Sequence, residues 1–161
     1  MVTIAKVKRP LGMILEERAG GGVEILEIDP RGNAAGEDAL AGDRVLMVGS
    51  EGCAEGDFDT VAGHIGASAG HRVELTLGRR VGTVRVVWPN GAQVGARAGE
   101  PLAALARKAR WPVSYACLSG SCGTCEHRLR TPGEDIRYTR VCVARVPKGA
   151  GVVEIGPGDR F

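Results

Sequence analysis

The sequence predicts an α+β protein of two domains, residues 1-80 and 81-161. Three observations predict it. First, the 161 residues alternate short β-branched strand runs with brief helical faces, so neither periodicity fills the chain. Second, the charge splits. Residues 1-80 carry nine basic and thirteen acidic side chains, net −4, and residues 81-161 carry twelve basic and six acidic, net +6. Third, Gly78-Arg79-Arg80 separates two strand-like runs and suits a boundary. About eighty residues on each side suffice for two small cores.

In the first half, Lys8-Arg9-Pro10-Leu11-Gly12-Met13-Ile14-Leu15 reads as a basic pair, a short turn and an apolar strand. Gly20-Gly21-Gly22 is a loop, and Val23 to Ile28 a strand. Pro30-Arg31-Gly32-Asn33-Ala34-Ala35 is expected to open a short helix. Ala41-Gly42-Asp43-Arg44-Val45-Leu46-Met47-Val48-Gly49 is a turn and a buried strand. Phe58, Val61, Ala62 and Ile65 fall on one helical face. Val73 to Leu77 closes the domain as a strand. This order and the Gly42-Asp43 turn resemble a PDZ domain over residues 3–79. The resemblance implies a partly open β-barrel with two helices. Pro10-Leu11-Gly12-Met13 matches the family's carboxylate-binding loop, with Pro10 in place of its usual first glycine.

The resemblance also implies a binding mode. Amides at Leu11, Gly12 and Met13 would cradle a terminal carboxylate, helped by Lys8 or Arg9. The peptide would add a strand beside Met13–Leu15 and rest on Phe58, Ala62 and Ile65. Phe58 takes a place where many PDZ domains carry a polar, specificity-setting residue, which implies an apolar contact. A shell that only packs on its neighbours is the alternative.

In the second half, Val81 to Trp88 alternates as a strand, and Pro89-Asn90-Gly91-Ala92 is a hairpin turn leading to a strand over about Gln93 to Arg97. Pro101 sits at the start of a helix whose apolar face is Leu102, Leu105, Ala106 and Ala109, and Trp111-Pro112 ends it. Val113 to Ala116 leads into a cysteine loop, and Gly151 to Ile155 is the last strand. A β-hairpin, a helix and further strands make a β-grasp.

The cysteines carry the chemistry. Cys117, Cys122 and Cys125 are spaced C-x4-C-x2-C, and Cys142 follows. That is the plant-type spacing for ligating a [2Fe–2S] cluster with a fourth cysteine from farther along. Three thiolates must converge from one tight loop, and Ser119, Gly120, Ser121, Gly123 and Thr124 are small enough to let the backbone wrap and aim amides at sulfur. Zinc sites usually pair two C-x2-C knuckles, and here there is one. Disulfides need an oxidising compartment, and the sequence gives no sign of secretion.

From residue 81 onward the chain resembles a plant-type [2Fe–2S] ferredoxin, most closely over Pro112-Val113-Ser114-Tyr115-Ala116-Cys117 and the cysteine loop. Two features depart from the family. Only 16 residues separate Cys125 from Cys142, fewer than usual, and the lost stretch normally carries a short helix and an acidic patch. Leu118 takes a place that is commonly Arg. With a net charge of +6, the domain would be attracted to acidic surfaces. Arg128, Arg130, Arg137 and Arg140 are expected near the cluster end as a docking surface for an acidic partner.

Other residues are expected to be silent. Cys53 is a spare thiol, and His64, His71 and His127 lack ligand spacing. No Gly-Lys-Ser/Thr follows Gly49-Ser50-Glu51-Gly52 to make a phosphate loop. Aromatics are too few for nucleic-acid stacking. No apolar run is long enough to span a membrane. No enzymatic constellation is apparent.

The combination resembles the PDZ–ferredoxin proteins of plastids. It implies a chloroplast stromal protein, peripheral to the thylakoid, with a complex such as photosystem I as partner; a bacterial cytoplasm is the alternative setting. The expected function is [2Fe–2S] electron transfer, with the PDZ module tethering the cluster to the complex. The alternative is a structural or assembly subunit whose cluster braces the fold.

Overall fold

The computed structural model describes residues 1–158, so the last three residues of the domain expected at 81-161 lie outside the described residues. The described residues are mostly β with two helices, and the chain divides into two compact units, Met1–Val81 and Gly82–Phe161. Among the described residues, no helix is long and apolar enough to cross a membrane.

The first unit holds β1 (Val2–Lys8), β2 (Met13–Glu17), β3 (Val23–Ile28), β4 (Arg44–Val48), β5 (Glu51–Gly52), α1 (Phe58–Ala67) and β6 (Arg72–Gly78). The sheet order is β1-β6-β4-β3-β2, all antiparallel, with β5 on β4. Period-2 alternation in β6 turns Val73, Leu75 and Leu77 inward, where they meet Val7, Ile25 and Val61 of α1. Each such buried side chain contributes ~1.5–3 kcal/mol over leaving it in water. Helix α1 starts where Asp57 accepts the amide of Thr60 at 2.8 Å, and it stops at Ser68.

The helix expected at Pro30–Ala35 is not formed. The segment is a run of turns instead. The Asp29 carboxylate takes the Arg31 amide, and the amides of Gly32, Ala35 and Glu37 each reach back three residues, to Asp29, Gly32 and Ala34. Asp29 and Gly32 favour such local closure over propagation. The first unit therefore has one helix rather than two.

Asp43, at the Gly42-Asp43 turn, is a buried charge of this unit. Its carboxylate accepts the Leu40 amide at 2.9 Å and both Nε and Nη2 of Arg79, at 2.8 and 2.6 Å. Arg79 also donates to Asp38 at 3.1 Å and is 6% exposed. Those hydrogen bonds to Asp43 raise the guanidinium's pKa further.

The second unit holds β7 (Val84–Val87), β8 (Gln93–Ala96), α2 (Leu102–Lys108), β9 (Glu126–Arg130), β10 (Arg137–Arg140) and β11 (Val152–Gly156). The order is β10-β9-β11-β7-β8, with β11 parallel to β7 and the rest antiparallel. The β7–β8 turn closes on Gly91 at φ 84°, the left-handed region that glycine enters freely. Trp88 is 1% exposed and shares a core with Leu102, Leu105, Val86, Leu129, Ile155 and Cys125. Pro101 is the N-cap of α2, one position earlier than expected. The helix exits through Arg110 in the left-handed region, and the Trp111 amide reaches back to Ala106 at 2.9 Å.

Candidate functional site

The cysteine loop leaves α2 at Trp111 and returns at β9. Two positive-φ glycines, Gly120 and Gly123, and the left-handed Leu118 bend it into a tight arc. Gly120 faces Val143, whose Cγ2 would lie 2.9 Å from any added Cβ, so a side chain there would push the two segments apart. The return limb is tied in as well: the Val141 amide donates to the Cys125 carbonyl at 3.1 Å, and Arg140 donates to the Gly120 carbonyl.

These ties bring the four cysteines to one end of the second unit. Cys125 is buried, Cys117 and Cys142 are half-buried, and Cys122 is exposed. The thiols stand as two pairs. The Cys122 amide donates to the Cys117 sulfur at 3.4 Å, and Cys142 lies near enough to Cys125 to feel its thiol. Hydroxyls shape the first pair. Ser119, then Ser121, then Cys122 hydrogen-bond the Cys117 sulfur and draw its pKa down to about 4. The Cys142 thiol goes the other way, because Cys125 and burial both favour its protonated form. The Cys122 thiol donates to the Thr124 hydroxyl at 3.2 Å.

A donor set of four sulfurs selects soft metals and iron–sulfur clusters. Among the described residues no three Cys, His, Asp or Glu side chains form a group suited to one metal ion. Two pairs of thiols are what a two-iron centre asks for, two thiolates to each iron. The donor chemistry therefore fits the cluster that the spacing calls for. Cys53 belongs to the other unit. Its thiol is buried, donates to the Glu51 carbonyl at 3.5 Å, and is raised in pKa by that burial.

The four arginines lie along the β9–β10 hairpin. Arg140 touches the cysteine loop. Arg128 donates to the Pro157 carbonyl at 3.3 Å, Arg130 approaches Glu154 at 3.8 Å, and Arg137 approaches Glu134 at 3.6 Å. Strands advance ~3.4 Å per residue, so Arg130 and Arg137 sit several steps away from the cysteines. Of the four, Arg140 contacts the cysteine loop directly. Around the loop the exposed apolar side chains are Leu118, at 67%, with Tyr115 and Val143. His127, which follows the cysteine loop in sequence without ligand spacing, lies beside the third cysteine. It is buried, and its ring contacts Cys125 and Trp111.

In the first unit, β2 is the last strand of its sheet and α1 packs alongside it. Leu11, Met13, Leu15 and Ile65 are half-buried between them, and Phe58 and Ala62 are exposed on the same helical stripe as Ile65. The turn before β2 is pinned by its carbonyls. Pro10 accepts from the Asn33 side chain at 2.7 Å, Leu11 from the Ala34 amide at 3.0 Å and Gly12 from the Asp29 amide at 2.8 Å. Among the described residues the amides of Leu11 and Gly12 meet no acceptor. Met13 is already in β2, opposite Ile28. Arg9 is committed elsewhere: its guanidinium donates to the Ile65 and Ser68 carbonyls at the end of α1. Lys8 is an exposed residue of β1.

No protein-family model matches the chain, and no curated protein matches it. Among solved structures, the chain is similar to the PDZ domain of choanoflagellate SHANK1 bound to a GIRK3 peptide. That match has a TM-score of 0.45 and 25% identity over 50% of this chain and 94% of that one. It is also similar to the second PDZ domain of Dlg1 from the choanoflagellate Monosiga brevicollis, with a TM-score of 0.45 and 22% identity over 50% of this chain and all of that one. A third is the INAD PDZ3 domain in complex with a TRP channel tail, with a TM-score of 0.43 and 21% identity over 49% of this chain and 87% of that one.

Proposed function

We propose that the chain is an electron-transfer protein in which the second unit holds a [2Fe–2S] cluster and the first unit docks it on a partner by binding an extended peptide. The observation that carries the reading is the C-x4-C-x2-C loop of Cys117, Cys122 and Cys125, on which the Cys122 amide meets the Cys117 sulfur, with Cys142 brought close by the tie of Val141 to the Cys125 carbonyl. The hairpin β7–β8, helix α2 and the parallel strand β11 support a β-grasp scaffold for that loop. When bound, such a cluster supplies reversible one-electron chemistry.

The chain's own residues do the rest. Ser119 and Ser121 hydroxyls favour the ionised sulfur of Cys117, the form that ligates metal. Arg140 holds the loop to β10 and places a positive charge beside it. Leu118, Tyr115 and Val143 give the loop an apolar rim over which a partner can exclude water. In the first unit, the free edge of β2 and the unpaired amides of Leu11 and Gly12 suit a carboxylate-terminated strand. A photosynthetic membrane complex is the partner we favour, on the strength of the sequence resemblance.

Anaerobic purification followed by iron and sulfide analysis tests this. Two irons and two sulfides per chain, with a paramagnetic signal after one-electron reduction, are expected. Cys142→Ser should destroy or alter that signal and Cys53→Ala should leave it. Stoichiometric zinc without iron would overturn the cluster reading.

A further inference from the structure

The groove between β2 and α1 has two unlike ends. At the Leu11–Gly12 end, Arg9 donates only to main-chain carbonyls and has no acidic partner among the described residues, so its positive charge stands uncompensated. At the opposite end Glu17 finishes β2, and its carboxylate accepts the Phe58 amide across the groove at 3.3 Å. Asp57 and Asp59 flank that contact on α1, and Glu16 precedes it on β2.

A carboxylate on the Leu11 and Gly12 amides fixes the direction of a bound strand. Its last residue lies at Met13, and the upstream residues run antiparallel to β2 past Leu15 toward Glu17. Both strands advance at ~3.4 Å per residue. Met13 to Glu17 is four steps, so the fourth and fifth residues from the peptide's end come abreast of Glu17. Phe58 stands over the approach to that point, 42% exposed.

We propose that Glu17 is a specificity-determining residue: the groove takes C-terminal tails that end in an apolar residue and carry Lys or Arg four or five residues from the carboxylate. The proposal rests on the peptide-groove reading of the first unit. The electrostatics favour it over a neutral or acidic upstream segment, because a carboxylate already aimed across the groove, with two more beside it, repels Glu and Asp and attracts a cation. Like charges across an interface reject wrong partners just as opposite charges favour right ones, and specificity is the difference between the two.

The full chain would be titrated with labelled peptides ending Lys-Lys-Val-Ser-Val, the same peptide with Glu-Glu in place of Lys-Lys, and the first peptide with its terminus amidated. The Lys peptide should bind at least about fivefold tighter than the Glu peptide at low salt, with the gap shrinking as salt rises. Glu17→Lys should reverse the order. Glu17→Gln, which keeps an acceptor for the Phe58 amide, should narrow the gap without reversing it and guards against a folding artefact. If both variants leave the Lys-to-Glu ratio at its wild-type value while amidation still abolishes binding, the role of Glu17 falls and the groove stands. If no peptide binds, or the amide binds as well as the acid, the groove reading falls and takes this inference with it.

Discussion

The indole N–H of Trp111 donates to Nε2 of His127 across 3.0 Å, and the two rings meet edge to face with centroids 6.3 Å apart. An indole N–H can only donate, so Nε2 must carry the lone pair and the imidazole proton sits on Nδ1. That N–H then donates to the Cys125 carbonyl at 3.1 Å. The exit of α2 is thereby linked to the third cysteine through one buried ring.

Trp111→Phe keeps an aromatic ring and removes the donor. It leaves Nε2 of a buried histidine without a partner, so the second unit should lose ~1–3 kcal/mol in urea unfolding followed by circular dichroism. His127→Phe in the same background should then cost less than it does alone, because the two residues act through one contact. Additive losses would mean that the bond contributes nothing to stability.

Gly12 and Gly32 touch backbone to backbone. A Cβ on Gly12 would lie 2.6 Å from the Gly32 Cα, and Gly12 has φ 69°. Gly42 has φ 94° with nothing near its absent Cβ. Gly42→Ala should therefore show conformational strain alone, about 1–2 kcal/mol. Gly12→Ala adds a clash between two main chains and should cost at least about twice as much. It should also weaken binding of a free-carboxylate peptide, since the turn bearing the Leu11 amide must shift. Equal costs in chemical denaturation would show that the turn relaxes freely.

Hydrogen bonds from Thr60, side chain and then main chain, hold the Asp57 carboxyl below the usual carboxylate range. The folded value thus lies below the unfolded one. The cap's ionic contribution is complete above the unfolded value and disappears as pH falls through the folded one. Asp57→Ala should be less stable than wild type at pH 7, and the gap should narrow as pH drops from about 5 toward 2. A gap that does not change with pH would mean that the ionised form adds nothing to the cap.

What could be read in the sequence was local. The β7–β8 hairpin announces itself through Pro89-Asn90-Gly91-Ala92, and α1 through Phe58, Val61, Ala62 and Ile65, because turn chemistry and helical spacing act within a few residues. The cysteine loop was legible for the same reason. The hairpin of β9 and β10 was not. Only His127 and Leu129 of β9 turn inward, and β10 has no buried residue, so neither strand shows an apolar alternation. The binding of Arg9 to α1 carbonyls spans 56 and 59 residues and leaves no local trace. The misplaced helix at Pro30–Ala35 failed on Asp29 and Gly32, whose turn bonds stop a helix before it propagates.

Arg79 lies just past the end of β6, two residues before Val81, which is 92% exposed. Anyone dividing the chain to study the first unit by itself meets a sharp rule about where to cut. A fragment ending at Gly78 retains every strand, yet it strands the Asp43 carboxylate in the interior with no cation. Removing one partner of a buried pair costs ~3–5 kcal/mol, a large share of the ~5–15 kcal/mol that holds a small domain folded. A fragment carried on to Val81 keeps the pair. Two polypeptides that differ by three residues at one end should therefore differ in unfolding free energy by ~3–5 kcal/mol.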